Sequence, residues 1–114
     1  MIDTIESPDI HAAGDDNFQS LVLENSKAGP VLVNFWSKKA GPCLRQYPIL
    51  DALATRYQGK FLLINIDTAR EIKIAREYGI TSVPTLKLFR FEKIQASLHG
   101  YQSEADPLKI LDQY

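Results

Sequence analysis

Cysteine is all but missing from this chain, with Cys43 its one instance. A lone cysteine excludes an internal disulfide and any cysteine-rich metal site. It fits a reducing compartment. No apolar run approaches the ~20 residues needed to cross a bilayer. The N-terminal stretch MIDTIESPDIHAAGDD is acidic and has no apolar core, so it reads as neither a signal peptide nor a membrane anchor. The expected location is cytoplasmic. A formal net charge of -1, without a basic stripe, supplies no electrostatic reason to bind nucleic acid or an anionic membrane. Histidine is scarce too. His11 and His99 lie far apart, with no carboxylate or thiol at ligand spacing, so no metal site is expected. No repeat or low-complexity tract occurs.

What remains is ordinary globular material. The 114 residues are 45% hydrophobic and 24% charged, enough for one domain that buries about two-thirds of its unfolded surface. The most informative stretch is Val31 to Pro48, VLVNFWSKKAGPCLRQYP. Its first six residues are apolar or aromatic except Asn34, as in a strand buried on both faces. A short polar loop leads to Gly41-Pro42-Cys43 and then to a helix carrying Leu44, Tyr47, Ile49, Leu50, Leu53 and Ala54. A helix N-terminus stabilises an anion through its free N–H groups and its dipole. A thiolate is such an anion, and the first turn of this helix holds the only cysteine.

The other elements follow from spacing and punctuation. Residues 1–9 read as a flexible N-terminal segment. Ile10 to Ala13 reads as a short edge strand. Asp15 or Asp16 caps a helix to about Asn25, with Phe18, Leu21 and Val22 inward. Ala28-Gly29-Pro30 breaks it. The helix over 41–57 is kinked at Pro48 and ended by Gly59. Phe61 to Ile66 is a second buried strand. A helix over 69–78 turns Ile72, Ala75 and Tyr78 inward, with Gly79 just past its end. Thr85–Phe91 and Ile94–Leu98 pair as a hairpin, although its turn lacks the usual Asn-Gly or Asp-Gly. Ser103 caps a last helix with Leu108, Ile110 and Leu111 as apolar positions. The order is βαβαββα, a mixed sheet with helices on both faces. The last helix runs to Tyr114, and the native chain is open to continuing beyond it.

The segment around Cys43 resembles the active site of the thioredoxin family, which follows a buried strand and reads Trp-Cys-Gly-Pro-Cys. This chain has Lys39-Ala40-Gly41-Pro42-Cys43 there. The likeness extends to Phe35-Trp36, Pro48, Tyr78-Gly79-Ile80, Val83-Pro84-Thr85 and Gly100. It covers residues 10–114, read as one α/β domain of thioredoxin fold.

In that family, the resemblance implies, the first cysteine attacks a target disulfide and the second resolves the mixed disulfide. The attacking position here is Ala40, and a methyl group cannot attack sulfur. The family also buries a carboxylate on the central strand to move the protons of the thiols. The matching residue is Asn34, an amide with no pKa in range. Lys39 stands where the family usually has tryptophan. Ala40 alone would fit an engineered substitution; with Asn34 and Lys39 it fits natural loss of the dithiol function. Cys43 then has two readings. It is a one-thiol site forming mixed disulfides with glutathione or a thiol-bearing protein, or a small hydrophobe packed under the loop. The helix dipole favours thiolate, while burial favours thiol.

Pro84 matches the family's cis-proline beside the active-site loop. There the backbone of the preceding residue, Val83 here, is open to an extended peptide. The resemblance implies a groove lined by Trp36, Ala40, Gly41, Pro42, Val83, Pro84, Gly100 and Tyr101, which Lys38 and Lys39 bias toward acidic clients. Pro84 also has a plain reading as a turn-shaping residue. The loop and helix also look like bacterial thioredoxin-like proteins fused to tetratricopeptide repeats, some of which lack paired cysteines and act as holdase chaperones. No such repeats occur here, so that likeness would hold for an excised N-terminal domain. Two functions are carried forward: a peptide- or protein-binding module without cofactor, and a single-thiol redox enzyme.

Overall fold

A computed structural model describes residues 9–114. The elements are β1 (Ile10–Ala12), β2 (Val31–Trp36), α1 (Gly41–Arg56), β3 (Leu62–Asp67), α2 (Ile72–Glu77), β4 (Thr85–Arg90), β5 (Lys93–His99) and α3 (Ala105–Gln113). The expected flexible segment falls on residues outside the described ones, except Asp9. Asp9 already belongs to the folded unit, because its carbonyl accepts the Leu63 N–H at 2.8 Å.

The strands form one mixed sheet in the order β1-β3-β2-β4-β5. The three on one side are parallel, and β4 and β5 are antiparallel. β2 lies at the centre, so its five residues Val31 to Phe35 are all buried. This explains why it reads as an apolar run interrupted only by Asn34 rather than an alternating one. Alternation reappears in where the side chains go. Val31, Val33 and Phe35 face one core with Phe18, Val22 and Ile74. Leu32 faces a second core with Leu50, Leu53 and Leu86. Helices therefore cover both faces, as expected. Phe18, Tyr78 and Phe89 form an aromatic trio with ring centroids 5.2 to 5.8 Å apart.

Several local expectations are corrected. The first helix is a π-helical segment over Gln19–Glu24 followed by a 3₁₀ turn at Asn25–Lys27. Its apolar spacing of four suits either winding, so the pattern could not separate them. Asp15 does not cap that helix. Its carboxylate accepts the Ile74 N–H in the first turn of α2 at 2.9 Å, while Glu71 accepts the Asp15 N–H at 2.9 Å. The two segments thus exchange hydrogen bonds, and Asp15 satisfies one of the free N–H groups in the first turn of α2. α2 is shorter than expected, and it turns Ile74 and Ala75 inward while Ile72 is 53% exposed. Gly79 does follow its end, with φ +63. The Gly79 and Ile80 N–H groups bond to Arg76 and Ala75 carbonyls at 3.0 and 2.9 Å, a Schellman closure. α1 stops at Arg56, before Gly59, and runs unbroken across Pro48. Ser103 does not cap α3, whose first flanking residue is Glu104 without a side-chain cap bond.

The hairpin turn is Phe91-Glu92, and both residues have positive φ, 56 and 65. Non-glycine residues take that conformation when outside contacts hold it. Here the Phe91 N–H bonds to the Ser26 carbonyl and the Glu92 N–H to the Ser26 hydroxyl, each at 2.8 Å. The buried Ser26 thus replaces the missing Asn-Gly signal.

Candidate functional site

The site begins where β2 leaves the sheet. Thr68 fixes that point by donating both its N–H and its hydroxyl to the Trp36 carbonyl, at 2.9 and 3.2 Å. Ser37 shapes the loop, its hydroxyl accepting the Lys39 N–H and its carbonyl the Ala40 N–H, at 3.3 and 3.2 Å. Ala40 flanks the helix with extended backbone, φ -95 and ψ 114, and has no side-chain acceptor to cap it. Gly41 and Pro42 open α1 and are exposed, as are Lys38 and Lys39. Proline suits this position, where the missing N–H costs no helical bond.

Cys43 is in the first turn but points inward and is 1% exposed. Burial pushes its thiol up from 9.0, and a backbone hydrogen bond from Ser37 only partly offsets this. The dipole at the helix start acts on a sulfur that solvent does not reach. On β2, Asn34 is buried mid-strand. Its Nδ2 donates to the Asn65 side-chain Oδ1 at 3.0 Å, and its own Oδ1 has no partner among the described residues. Both side chains are neutral amides. No proton can be taken up or released there near neutral pH.

The other wall comes from the loops around β4 and β5. The Val83–Pro84 bond is cis. Val83 is half-buried, and Pro84 itself is buried. The Gly100 N–H bonds to the Pro84 carbonyl at 2.8 Å, with Gly100 at φ +80, a conformation glycine adopts without strain. Arg45 of α1 lies 5.1 Å above the Tyr101 ring. Trp36 packs on Tyr47 with centroids 5.5 Å apart, beside a cavity of about 330 Å³ that Lys38, Asp67, Arg70 and Glu71 also line.

Sequence reading missed the residue that joins the two walls. Gln46 is 0% exposed, and its side chain grips the backbone of Gln102 from both sides. Its Oε1 accepts the Gln102 N–H at 2.6 Å, and its Nε2 donates to the Gln102 carbonyl at 3.0 Å. A glutamine among exposed helix residues gives no local sign of this. Asn65 was also missed. Its signal lay in the matching runs Val31–Asn34 and Leu62–Asn65, each three apolar residues and then asparagine, which the parallel register sets side by side. Among the described residues, no group of histidine, cysteine and carboxylate side chains is built to hold a metal ion. No helix among them is long and apolar enough to cross a membrane.

The mixed sheet, the buried thiol at the first turn of α1 and the cis-proline loop define a thioredoxin-fold domain with a single sulfur at its site. Comparison with known proteins agrees. The thioredoxin family model matches residues 9–113. A thioredoxin of Chlorobaculum thiosulfatiphilum is 33% identical over 102 residues, covering 90% of this chain and 93% of the relative. A thioredoxin of Acidithiobacillus ferridurans is 36% identical over 98 residues, 86% of this chain and 89% of the relative. A chloroplastic M-type thioredoxin of Chlamydomonas reinhardtii is 35% identical over 103 residues, 90% of this chain and 72% of the relative. The chain belongs to the thioredoxin family.

Proposed function

We propose that this chain is a peptide- and protein-binding module that has no dithiol cycle. The observation that carries this reading is the pairing of Ala40 with Cys43. The residue at the accessible edge of the helix offers a methyl group, and the sulfur one turn in is 1% exposed. Disulfide exchange needs a thiolate that can reach a target sulfur in line. Neutral Asn34 removes the remaining route for moving a thiol proton. The elements of a peptide groove do not depend on sulfur. Val83 N–H and C=O have no hydrogen-bond partner among the described residues, and an extended client can pair with them by strand addition. Trp36, Gly41, Pro42 and Tyr101 supply apolar surface beside that edge. A cytoplasmic location goes with this reading, because a reducing compartment keeps the lone thiol from cross-linking.

The test compares binding with turnover. Reduced, unfolded client protein is expected to aggregate more slowly with this chain present, while insulin is not reduced catalytically. Multiple-turnover insulin reduction by the unmodified chain with thioredoxin reductase would overturn the reading. A second reading keeps Cys43 as a single-thiol redox site served by glutathione or a partner thiol. The Ser37 hydrogen bond to the sulfur, which offsets part of the larger upward push of burial, favours it. Alkylation of Cys43 with a midpoint near neutral pH would decide for that reading over the first.

A further inference from the structure

A second apolar strip runs along the outer face of α1, away from Cys43. Leu44, Pro48 and Ala52 stand four residues apart in the helix, so they share one face. Leu44 is 58% exposed, and Pro48 and Ala52 are exposed as well. The chain after β5 passes beside this face at Tyr101, Ser103 and Glu104, while Gln46 anchors the same segment from the buried side of α1. Tyr101, 42% exposed, is its main side chain. Between helix and chain lies a cavity of about 370 Å³ lined by Pro48, Ile49, Ala52, Tyr101, Ser103 and Glu104.

Unpaired cations stand at the N-terminal end of the strip, and the half-buried Asp51 stands near its C-terminal end. Arg45 lies over Tyr101 and forms no ion pair among the described residues. Lys39 is exposed in the loop that enters the helix, likewise unpaired, whereas Lys38 lines the separate cavity with Asp67 and Glu71. The one carboxylate at the cavity, Glu104, is already paired with Arg56. The strip is therefore apolar along its length and positive at the end next to Pro42.

The geometry points to a second docking subsite, for a client segment that alternates apolar and acidic residues. This rests on the peptide-binding reading and names the clients it selects. An apolar client side chain fills the cavity between Pro48 and Tyr101. Acidic residues on the same segment face Arg45 and Lys39. Leu44 to Ala52 covers ~12 Å of helix at ~1.5 Å per residue, the length of about four extended residues at ~3.3 Å each. Tyr101 borders the strip cavity and belongs to the proposed groove, so one extended chain can lie across the two. Exposed ion pairs are individually weak. The apolar contact supplies most of the affinity, and charge selects among clients.

The experiment is fluorescence anisotropy with a labelled synthetic peptide alternating leucine and aspartate, and a second with lysine for aspartate. Both are titrated with the wild-type chain, Ala52→Gln and Arg45→Gln. The two substitutions lie at exposed helix positions, and urea-unfolding midpoints check that each variant folds. Wild type is expected to bind the aspartate peptide, and Ala52→Gln to bind it about tenfold more weakly, ~1.4 kcal/mol. Arg45→Gln is expected to weaken it about threefold and flatten its salt dependence. The lysine peptide is expected to bind at least several-fold more weakly than the aspartate one. Equal binding by wild type and Ala52→Gln, or by the two peptides, overturns the subsite and leaves the groove reading intact. Failure of both peptides and of a reduced unfolded protein to bind overturns both.

Discussion

Replacing Gln46 with leucine is the sharpest probe of how the two walls of the site are joined. Leucine keeps most of the volume and removes both hydrogen bonds to Gln102, at 2.6 and 3.0 Å. Each such bond contributes ~0.5–1.5 kcal/mol net, and a buried group left without a partner costs ~1–3 kcal/mol. Gln46 is fully buried, whereas Gln102 is only half-buried and can be partly rehydrated. The expected loss of stability is therefore about 2–4 kcal/mol, short of the full penalty for both groups. Urea unfolding measures it. The effect is local as well as global, because the same loop is tied to Pro84 through the Gly100 N–H. Amide exchange at Gly100 and Gln102 should accelerate under native conditions by more than at the core strands. Gln46→Glu sharpens the test. It keeps an acceptor for the Gln102 N–H but faces its carbonyl with an oxygen, which can donate only when protonated. That variant should gain more stability than wild type as pH falls, wild type having only the smaller Asp51 contribution. A Gln46→Leu protein within ~0.5 kcal/mol of wild type, with unchanged exchange at Gln102, refutes the claim that this side chain holds the loop.

Three further outcomes are expected. Cys43 should alkylate slowly, with a midpoint above 9.0, because burial raises its thiol pKa. Above that pH the folded state holds more protons than the unfolded one, so stability falls as pH climbs, and Cys43→Ala should remove that slope. Asp51 is pushed above 3.8 by burial, and its Oδ1 has no partner among the described residues. Its contribution is present below 3.8 and lost as pH rises through the folded value, so Asp51→Asn should stabilise the protein by ~1 kcal/mol at neutral pH. Urea unfolding should show that gain vanish below the ordinary carboxylate range. Asp15→Ala should cost ~1 kcal/mol by uncapping α2. In that variant, the α2 amide Ile74 should lose exchange protection while β2 keeps it.

The parts of this fold legible in advance are those whose cause is local. Val31–Phe35 and Leu62–Ile66 are apolar apart from Asn34 and Asn65 because strands buried on both faces have no solvent-facing side. Gly79 marks the end of α2 because its φ of +63 suits glycine. The parts that were not legible depend on a partner far along the chain. Asp15 sits before a helical pattern and reads as its cap, yet it serves a helix 59 positions away. Ser26 carries no sign that it holds the Phe91-Glu92 turn. The site divides in the same way. Ala40, Asn34 and Lys39 could be compared with the family motif position by position. Whether Cys43 faces solvent depends on how α1 packs on the sheet.

Side-chain chemistry is a property of the residue alone. The linear order thus determines that this chain has one thiol, no acid at position 34 and a methyl at position 40. Access and joining are properties of the packed molecule. The fold decides that the sulfur lies inside and that Gln46 ties α1 to the loop beyond β5. It also decides that an apolar strip remains on the outer face of α1. Each of these arises where segments about fifty residues apart displace water from between them, and nothing in either segment alone records it.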